Sequence, residues 1–183
     1  MLRRTLAALA LIALAACAQA QARDTVQAPA NSAAPQSGPQ ELLGKMVGRW
    51  TLTGVIAGQN TVHDVDAEWV LQHNYVRISE VSRERAENGQ PQYEAFVLVG
   101  WSEAAHQYVC FWFDNTGVAD PHATCSAPHT PDVIPFEFRN ASGALDITNT
   151  FTYDRVHDTW QWRMDNVING QPAHFGTVTL RRQ

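Results

Sequence analysis

The sequence predicts an all-β protein, an antiparallel up-and-down β-barrel of about ten strands. From Gly48 onward, apolar and polar residues alternate with a period of two, as in strands that bury one face. Turn-forming residues interrupt this alternation about nine times, and no gap is long enough for a helical crossover. Hydrophobic residues make up 45% of the chain, enough for a core. A sheet of this strand count usually closes or splits into two layers to avoid exposed edges.

The N-terminal segment is predicted to lie outside this fold. A basic start precedes an apolar run of about eleven residues, shorter than the roughly twenty that a membrane-spanning helix needs. Residues 1–16 therefore indicate a signal peptide of the lipoprotein type, because the run ends in Leu14-Ala15-Ala16-Cys17, which resembles the bacterial lipobox. Cys17 is the predicted lipidation site. The alternatives are a chance cysteine with ordinary cleavage near Ala20 or Ala22.

Residues 17–40 are rich in Ala, Gln, Pro, Ser and Asn and are predicted to form a disordered tether. The barrel domain is predicted over 41–183, with one or two helical turns at Glu41–Val47 before the first strand. We expect a lipid-anchored protein on the periplasmic side of a bacterial membrane. Ala18 at the second mature position favours the outer membrane, by resemblance to lipoprotein sorting. A soluble periplasmic or secreted protein is the alternative.

The charge of the chain excludes one class of partner and limits another. Thirteen basic residues are scattered against 18 acidic ones, for a formal net charge of −5. The chain therefore lacks the basic patch that nucleic-acid binding requires. Anionic headgroups would repel it, so membrane contact is expected through the N-terminal lipid alone. The sequence does not predict an oligomeric state.

Strand parity predicts the ligand site. Large side chains share the inward faces, and the turn at Val156–Asp158 would set Tyr153 beside Trp160 and Phe151 beside Trp162. They would form one aromatic wall, to which His174 adds a polar group. The predicted ligand-binding residues are Trp50, Trp69, Phe151, Tyr153, Trp160, Trp162, Met164 and His174. The alternative is that these side chains fill a small barrel.

Three local expectations concern pairing. A turn at Gln72-His73 would place Glu68 opposite Arg77. The closing hairpin at Asn169-Gly170 needs a three-residue bulged loop, because a two-residue turn sets Trp162 against Thr177 and reverses the apolar stripe. Strands 93–101 and 108–113 are apolar on both faces, so either something packs outside them or they form a patch for a partner.

Two cysteines remain after the lipobox. Cys110 and Cys125 are predicted to form a disulfide in an oxidising compartment, with two buried free thiols as the alternative. His122, Cys125 and His129 only superficially resemble zinc ligands, and the acidic face Asp64-Asp66-Glu68 is better explained as solvated. No metal site is predicted.

The first strand adds a family resemblance. It opens with Gly48-Arg49-Trp50 after a short helical segment, which resembles the Gly-x-Trp signature of calycin-type, lipocalin-like barrels. The chain from Leu42 to Arg182 is also similar to an uncharacterised family of bacterial secreted proteins and lipoproteins, through Gly100-Trp101-Ser102, Tyr108-Val109, Trp112-Phe113-Asp114 and Gly117. The resemblance implies a lipocalin-like fold and hints at ligand binding. Nitrobindin, a relative of this fold class, binds haem through a comparable C-terminal histidine. Here the rest of its signature is missing, and no cofactor is predicted.

The leading functional hypothesis is a membrane-tethered periplasmic barrel that binds a small apolar or amphipathic molecule. The alternative is a non-catalytic envelope scaffold or interaction protein with a filled barrel. No hydrolase elbow, zinc-protease motif, phosphate loop or dinucleotide fingerprint occurs, so no catalytic residues are predicted. Catalysis by residues scattered along the chain stays open. An empty interior of a few hundred Å³ would favour the binder.

Overall fold

The structure, a computed structural model, describes residues 38–117 and 124–183. The predicted signal peptide and Cys17 fall outside these residues, as does His122. Helix α1 spans Pro39–Met46, so regular structure begins two residues before the expected domain start at Glu41. Ten strands follow: β1 Gly48–Ile56, β2 Gln59–Val70, β3 Tyr75–Ser82, β4 Glu94–Ser102, β5 Gln107–Asp114, β6 Thr124–Pro128, β7 Val133–Arg139, β8 Leu145–Asp154, β9 Thr159–Ile168 and β10 Gln171–Arg182.

The strands form one closed antiparallel barrel in which each pairs with its sequence neighbours and β1 pairs with β10. This confirms the predicted fold class and is consistent with a lipocalin-like fold. Closure leaves no free sheet edge, which removes the usual site of edge-to-edge aggregation. The predicted register of β2 and β3 is also confirmed, since Glu68 lies opposite Arg77 and the two form an ion pair.

Helix α1 closes the end of the barrel at which β1 begins. It buries Leu42, Leu43 and Met46 and carries a proline in its first turn, where the missing N–H costs no helical hydrogen bond. Two tryptophans of the barrel interior hydrogen-bond to the C-terminal end of this helix. The indole N–H of Trp50 donates to the Met46 carbonyl at 2.8 Å, and that of Trp160 donates to the Lys45 carbonyl at 3.3 Å. These bonds satisfy carbonyls that the helix C-terminus leaves without partners.

The interior next to α1 is filled by the aromatic side chains that parity placed inward. The expected pairs are confirmed: Phe151 lies opposite Trp162 and Tyr153 lies opposite Trp160. Both pairs have ring centroids 4.9 Å apart, and the first is stacked. Such contacts stabilise by roughly 0.5–1.5 kcal/mol beyond the area that they bury.

The closing hairpin differs from the expectation. Asn169 and Gly170 form a two-residue turn with positive φ at both positions, and the register shift lies inside β10, between His174 and Gly176. A Cβ at Gly176 would lie 2.9 Å from the Val55 carbonyl oxygen, so the close approach of β1 selects glycine there. The bulge still restores the apolar stripe, since Trp162 pairs with Val178.

The doubly apolar strands β4 and β5 expose their outer faces. Phe96 pairs with Phe113 and Leu98 with Phe111, and the three phenylalanines are 38–42% exposed. In the part of the chain that the structure describes, no element covers these rings fully. Across residues 38–117 and 124–183 no helix has the length and apolar character needed to cross a bilayer.

Candidate functional site

A cavity of about 720 Å³ occupies the end of the barrel opposite α1, where the odd-numbered strands finish. Its volume lies within the roughly 300–1,000 Å³ typical of small-molecule sites. Aromatic rings supply much of the wall: Tyr93, Trp112, Phe138, Trp162 and Phe175. A pocket of this kind offers large apolar area with few side-chain rotamers to freeze.

The floor of the cavity is made by stacked aromatic rings. Trp162 lies against Phe151 at 4.9 Å and against Trp112 at 5.6 Å between ring centroids. Beneath it only a void of about 30 Å³ is left beside Trp50 and Trp160, room for little more than one water molecule. The barrel is therefore filled in the half next to α1 and hollow in the other half.

Of the eight predicted ligand-binding residues, Trp162 and Met164 line the large cavity. Trp50, Phe151 and Trp160 lie below the floor and surround the small void. The other three, Trp69, Tyr153 and His174, border neither space: Trp69 is near Gly44 of α1, and Tyr153 donates a hydrogen bond to Asp158 at 2.7 Å.

His174 is the one predicted wall residue that the structure turns away from the interior. Its side chain is 50% exposed, and its Nδ1 lies 3.2 Å from Asp165. The bulge in β10 is the reason, because it shifts the register at Phe175 and brings that ring into the cavity lining. Polar side chains of other residues, among them His63 and Glu84, border the cavity instead.

A buried hydrogen-bonded chain reaches the cavity from its wall. Nδ1 of His63 lies 2.5 Å from Glu80 Oε1, and Nε2 of the same ring lies 2.6 Å from Thr61 Oγ1. His63 and Glu80 are only 4% and 3% exposed, so the pair is held almost without water. Strand β2 carries Thr61 and His63 on its inward face, and β3 carries Glu80 diagonally across from His63. A buried carboxylate is tolerable because the imidazole satisfies it.

Tyr93 stacks its ring on His63, with centroids 5.6 Å apart. Burial first, and then the negative charge of Glu80, raises the pKa of the Tyr93 phenol far above its usual range. The phenol is therefore neutral at any physiological pH. Its oxygen accepts a hydrogen bond from the Trp112 indole at 3.4 Å, which links the residue before β4 to β5 at the cavity wall.

Glu84 adds a second carboxylate beside this chain. Its Oε1 accepts a hydrogen bond from the Val62 amide at 3.1 Å. Its Oε2 is buried, and within the described ranges it has no hydrogen-bond partner. A buried acceptor left without a donor costs about 1–3 kcal/mol, which a ligand donor could recover. The indole N–H of Trp162 is likewise buried with no partner among the described groups.

The lining is predominantly acidic. Glu84, Asp114, Asp146 and Asp165 are the carboxylates that border the cavity, together with one arginine, Arg139. The hydrogen bonds that Arg163 donates hold the pKa of Asp165 below its ordinary value, so that carboxylate stays charged. The lining therefore has more carboxylates than cations, and the charge of one of them, Asp165, is balanced by its ion pair with Arg163.

Sequence reasoning missed His63, Glu80, Glu84 and Tyr93. The sequence did contain a signal for His63 and Glu80. The predicted pairing of Glu68 with Arg77 fixes a register that also places Val65 opposite Glu80. Counting back two residues puts His63 on the same inward face. A histidine and a glutamate on one buried face indicate a pair, since neither is stable there alone.

Cys110 and Cys125 lie directly opposite each other on β5 and β6 and are joined in a disulfide with a Cα–Cα distance of 4.9 Å. Among residues 38–117 and 124–183, no group of three His, Cys, Asp or Glu side chains is arranged to hold a metal ion. The considered zinc set includes His122, which lies outside the described residues. The acidic face of β2 instead forms surface ion pairs, such as that of Asp64 with Arg83 at 2.7 Å.

Comparison with known proteins adds no identity: no protein-family model matches the chain, and no characterised protein matches it significantly.

Proposed function

We propose that this protein binds a small amphipathic molecule in the open half of its barrel. The cavity of about 720 Å³ is the observation that carries the proposal. It is large enough for a ligand of drug-like size, and its mixture of aromatic wall and few polar groups suits a molecule with one apolar and one polar end. The scaffold alternative requires a filled barrel, and only the half next to α1 is filled.

The proposal includes a location. Lipidation at Cys17 would hold the barrel on the periplasmic side of a bacterial membrane, with residues 18–38 as the spacer. Replacing Cys17 with Ser should release the protein into the soluble periplasmic fraction. An unlipidated wild-type chain that begins near Gln21 or Arg23 in mass spectrometry would contradict the anchor and leave the cavity proposal standing.

The test of binding uses tryptophan fluorescence, because Trp112 and Trp162 lie at the cavity. A neutral apolar dye, N-phenyl-1-naphthylamine, should quench this emission with a dissociation constant below about 100 μM, the affinity that roughly 5–6 kcal/mol provides.

The structure offers a matched pair of variants for this titration. Phe175 on the cavity rim and Phe96 on the outer face of β4 are 41% and 40% exposed. Phe175→Ala should weaken dye binding about fivefold, because it removes roughly 1 kcal/mol of apolar contact. Phe96→Ala should leave the affinity unchanged. Equal effects of the two, or no binding by the wild type, would return the scaffold hypothesis to first place.

A further inference from the structure

The wall of the cavity at β2 presents hydrogen-bond acceptors. A carboxylate can only accept, so the Nδ1 of His63 that lies 2.5 Å from Glu80 Oε1 carries a proton. In the tautomer whose Nε2 carries no proton, that nitrogen accepts the hydroxyl proton of Thr61 at 2.6 Å. With its own proton engaged, Thr61 Oγ1 offers only lone pairs to a ligand. The buried chain thus makes a threonine, normally both donor and acceptor, into an acceptor.

A second acceptor lies beside the first. Glu84 Oε1 is bound to the amide of Val62, the residue that follows Thr61, so the two groups are adjacent along β2. The remaining oxygen of this carboxylate, Oε2, is buried, and the described chain supplies no donor to it. A ligand N–H group at this corner would supply the donor that Glu84 Oε2 lacks.

The charges near this corner favour a cation. Two carboxyl groups, those of Glu80 and Glu84, lie at this corner. Tyr93 presents an aromatic ring stacked on His63, a surface that attracts cations through its quadrupole. Arg139, the one Lys or Arg side chain of the described lining, is held by Glu137 at 2.5 Å and by the Gly143 carbonyl at 3.2 Å. The unpartnered donor of Trp162 lies on β9, three strands away around the barrel.

We propose that the polar end of the ligand is a protonated amine, whose N–H groups donate to Thr61 Oγ1 and to Glu84 Oε2 while its apolar part lies against the aromatic wall. The ligand class is therefore a cationic amphiphile, an alkyl or aryl amine. This inference rests on the proposed binding function and specifies its selectivity. A fatty-acid carboxylate would bring lone pairs and a negative charge to two acceptors, which is an arrangement of mutual repulsion.

The experiment compares three ligands that share one chain and differ at one end: decylamine, decanol and decanoate. Binding is followed at pH 7.5 by tryptophan fluorescence and by displacement of N-phenyl-1-naphthylamine. We expect decylamine to bind about tenfold more tightly than decanol, as a charge-assisted hydrogen bond allows, and decanoate to bind most weakly.

Two variants locate the selectivity. Thr61→Val keeps the side-chain shape and removes the acceptor, and Glu84→Gln removes the charge. Each should lower decylamine affinity about fivefold to tenfold and decanol affinity by less, because the charge-assisted hydrogen bonds of the amine are stronger than the neutral bond that a hydroxyl donates. The control variant is Glu103→Gln. Glu103 is an exposed residue just after the end of β4, so this substitution should change the affinity for neither decylamine nor decanol.

The outcomes separate the inference from the function on which it rests. If decanol binds and decylamine binds no better, or if decanoate binds best, the amine assignment is wrong and the cavity remains a ligand site. If Glu103→Gln lowers decylamine affinity as much as Glu84→Gln, the preference is a general effect of net charge and the assigned corner is wrong. If none of the three ligands binds, the proposed function itself fails.

Discussion

The pair His63–Glu80 allows a quantitative test of how the cavity wall is held. Both side chains are more than 95% buried, and their bond measures 2.5 Å. Glu80→Ala removes a charged hydrogen bond worth about 1.5–3 kcal/mol and leaves the His63 Nδ1–H buried without an acceptor, a further cost of about 1–3 kcal/mol. We expect a loss of about 3–5 kcal/mol in the free energy of unfolding, in the range found for broken buried pairs.

The double-mutant cycle isolates the pair itself. His63→Ala leaves the Glu80 carboxylate buried without its donor and should cost a similar amount. The double variant leaves neither orphan, so its loss should be smaller than the sum of the two single losses by about 2–3 kcal/mol. Glu80→Gln should be milder than Glu80→Ala, because the amide oxygen still accepts from Nδ1–H.

The assay is urea unfolding followed by tryptophan fluorescence, with the slope m compared between variants to verify that the same surface is exposed. Losses that add within about 0.5 kcal/mol would show that the two side chains do not interact and would refute the reasoning. Equal losses for Glu80→Gln and Glu80→Ala would show that the shape of the side chain matters and its acceptor does not.

Three further predictions concern stability. Leu43→Ala should lower the free energy of unfolding by about 3–5 kcal/mol in a urea titration, because Leu43 is fully buried on the inner face of α1. A loss below about 1 kcal/mol would mean that α1 does not seal the barrel. Reducing the disulfide at Cys110 should lower the melting temperature by about 10 °C, from roughly 3 kcal/mol for a loop of 15 residues. Peptide mapping that finds Cys110 alkylated before reduction would contradict the bridge. Arg182→Gln should cost about 1–2 kcal/mol at pH 7, since Arg182 bonds the Val47 carbonyl at 2.9 Å and pairs with a half-exposed Asp158. The hydrogen bonds from Arg182 and then Tyr153 hold the pKa of Asp158 below its ordinary 3.8. The contribution of that ion pair is therefore complete above about pH 4 and is lost as the pH falls through the lowered pKa. A difference between wild type and variant that is equal at pH 7 and pH 3 would exclude the ion pair.

Parity was sufficient for the fold and for the inward faces. Each strand has one apolar face, and a short turn fixes the register of its partner, so the contacts of Phe151 with Trp162 and of Tyr153 with Trp160 follow from local pattern alone. The bulge near Phe175 did not follow, because its position is set by the backbone of β1 at Val55, a neighbour 120 residues away in sequence. The same non-local contact explains why the His174 side chain is exposed and does not line the interior.

The location of the cavity escaped sequence reasoning for a different physical reason. Alternation tells which side of a sheet a residue faces, but it carries no information about height along the barrel axis. Position along the barrel axis determines which inward residues border the cavity, because α1 and the tryptophans next to it fill one end. Trp50 and Trp162 have the same parity and similar chemistry, yet one lies in the filled half and the other forms the floor of the cavity.

The same reasoning explains why the polar groups of the site come from strand ends. Near α1 the interior is filled by buried apolar side chains such as Val76, Val99 and Ile134, so a charged side chain there would have no route to water. At the open end the interior is wide enough to keep Glu84, Asp114 and Asp165 at the wall. The buried pair His63–Glu80 lies between the two regions, and it is stable there only because each group satisfies the other. A barrel sealed at one end by a short helix therefore confines its polar groups to the other end. The proposed ligand would enter past the carboxylates of the rim before it reaches the aromatic floor.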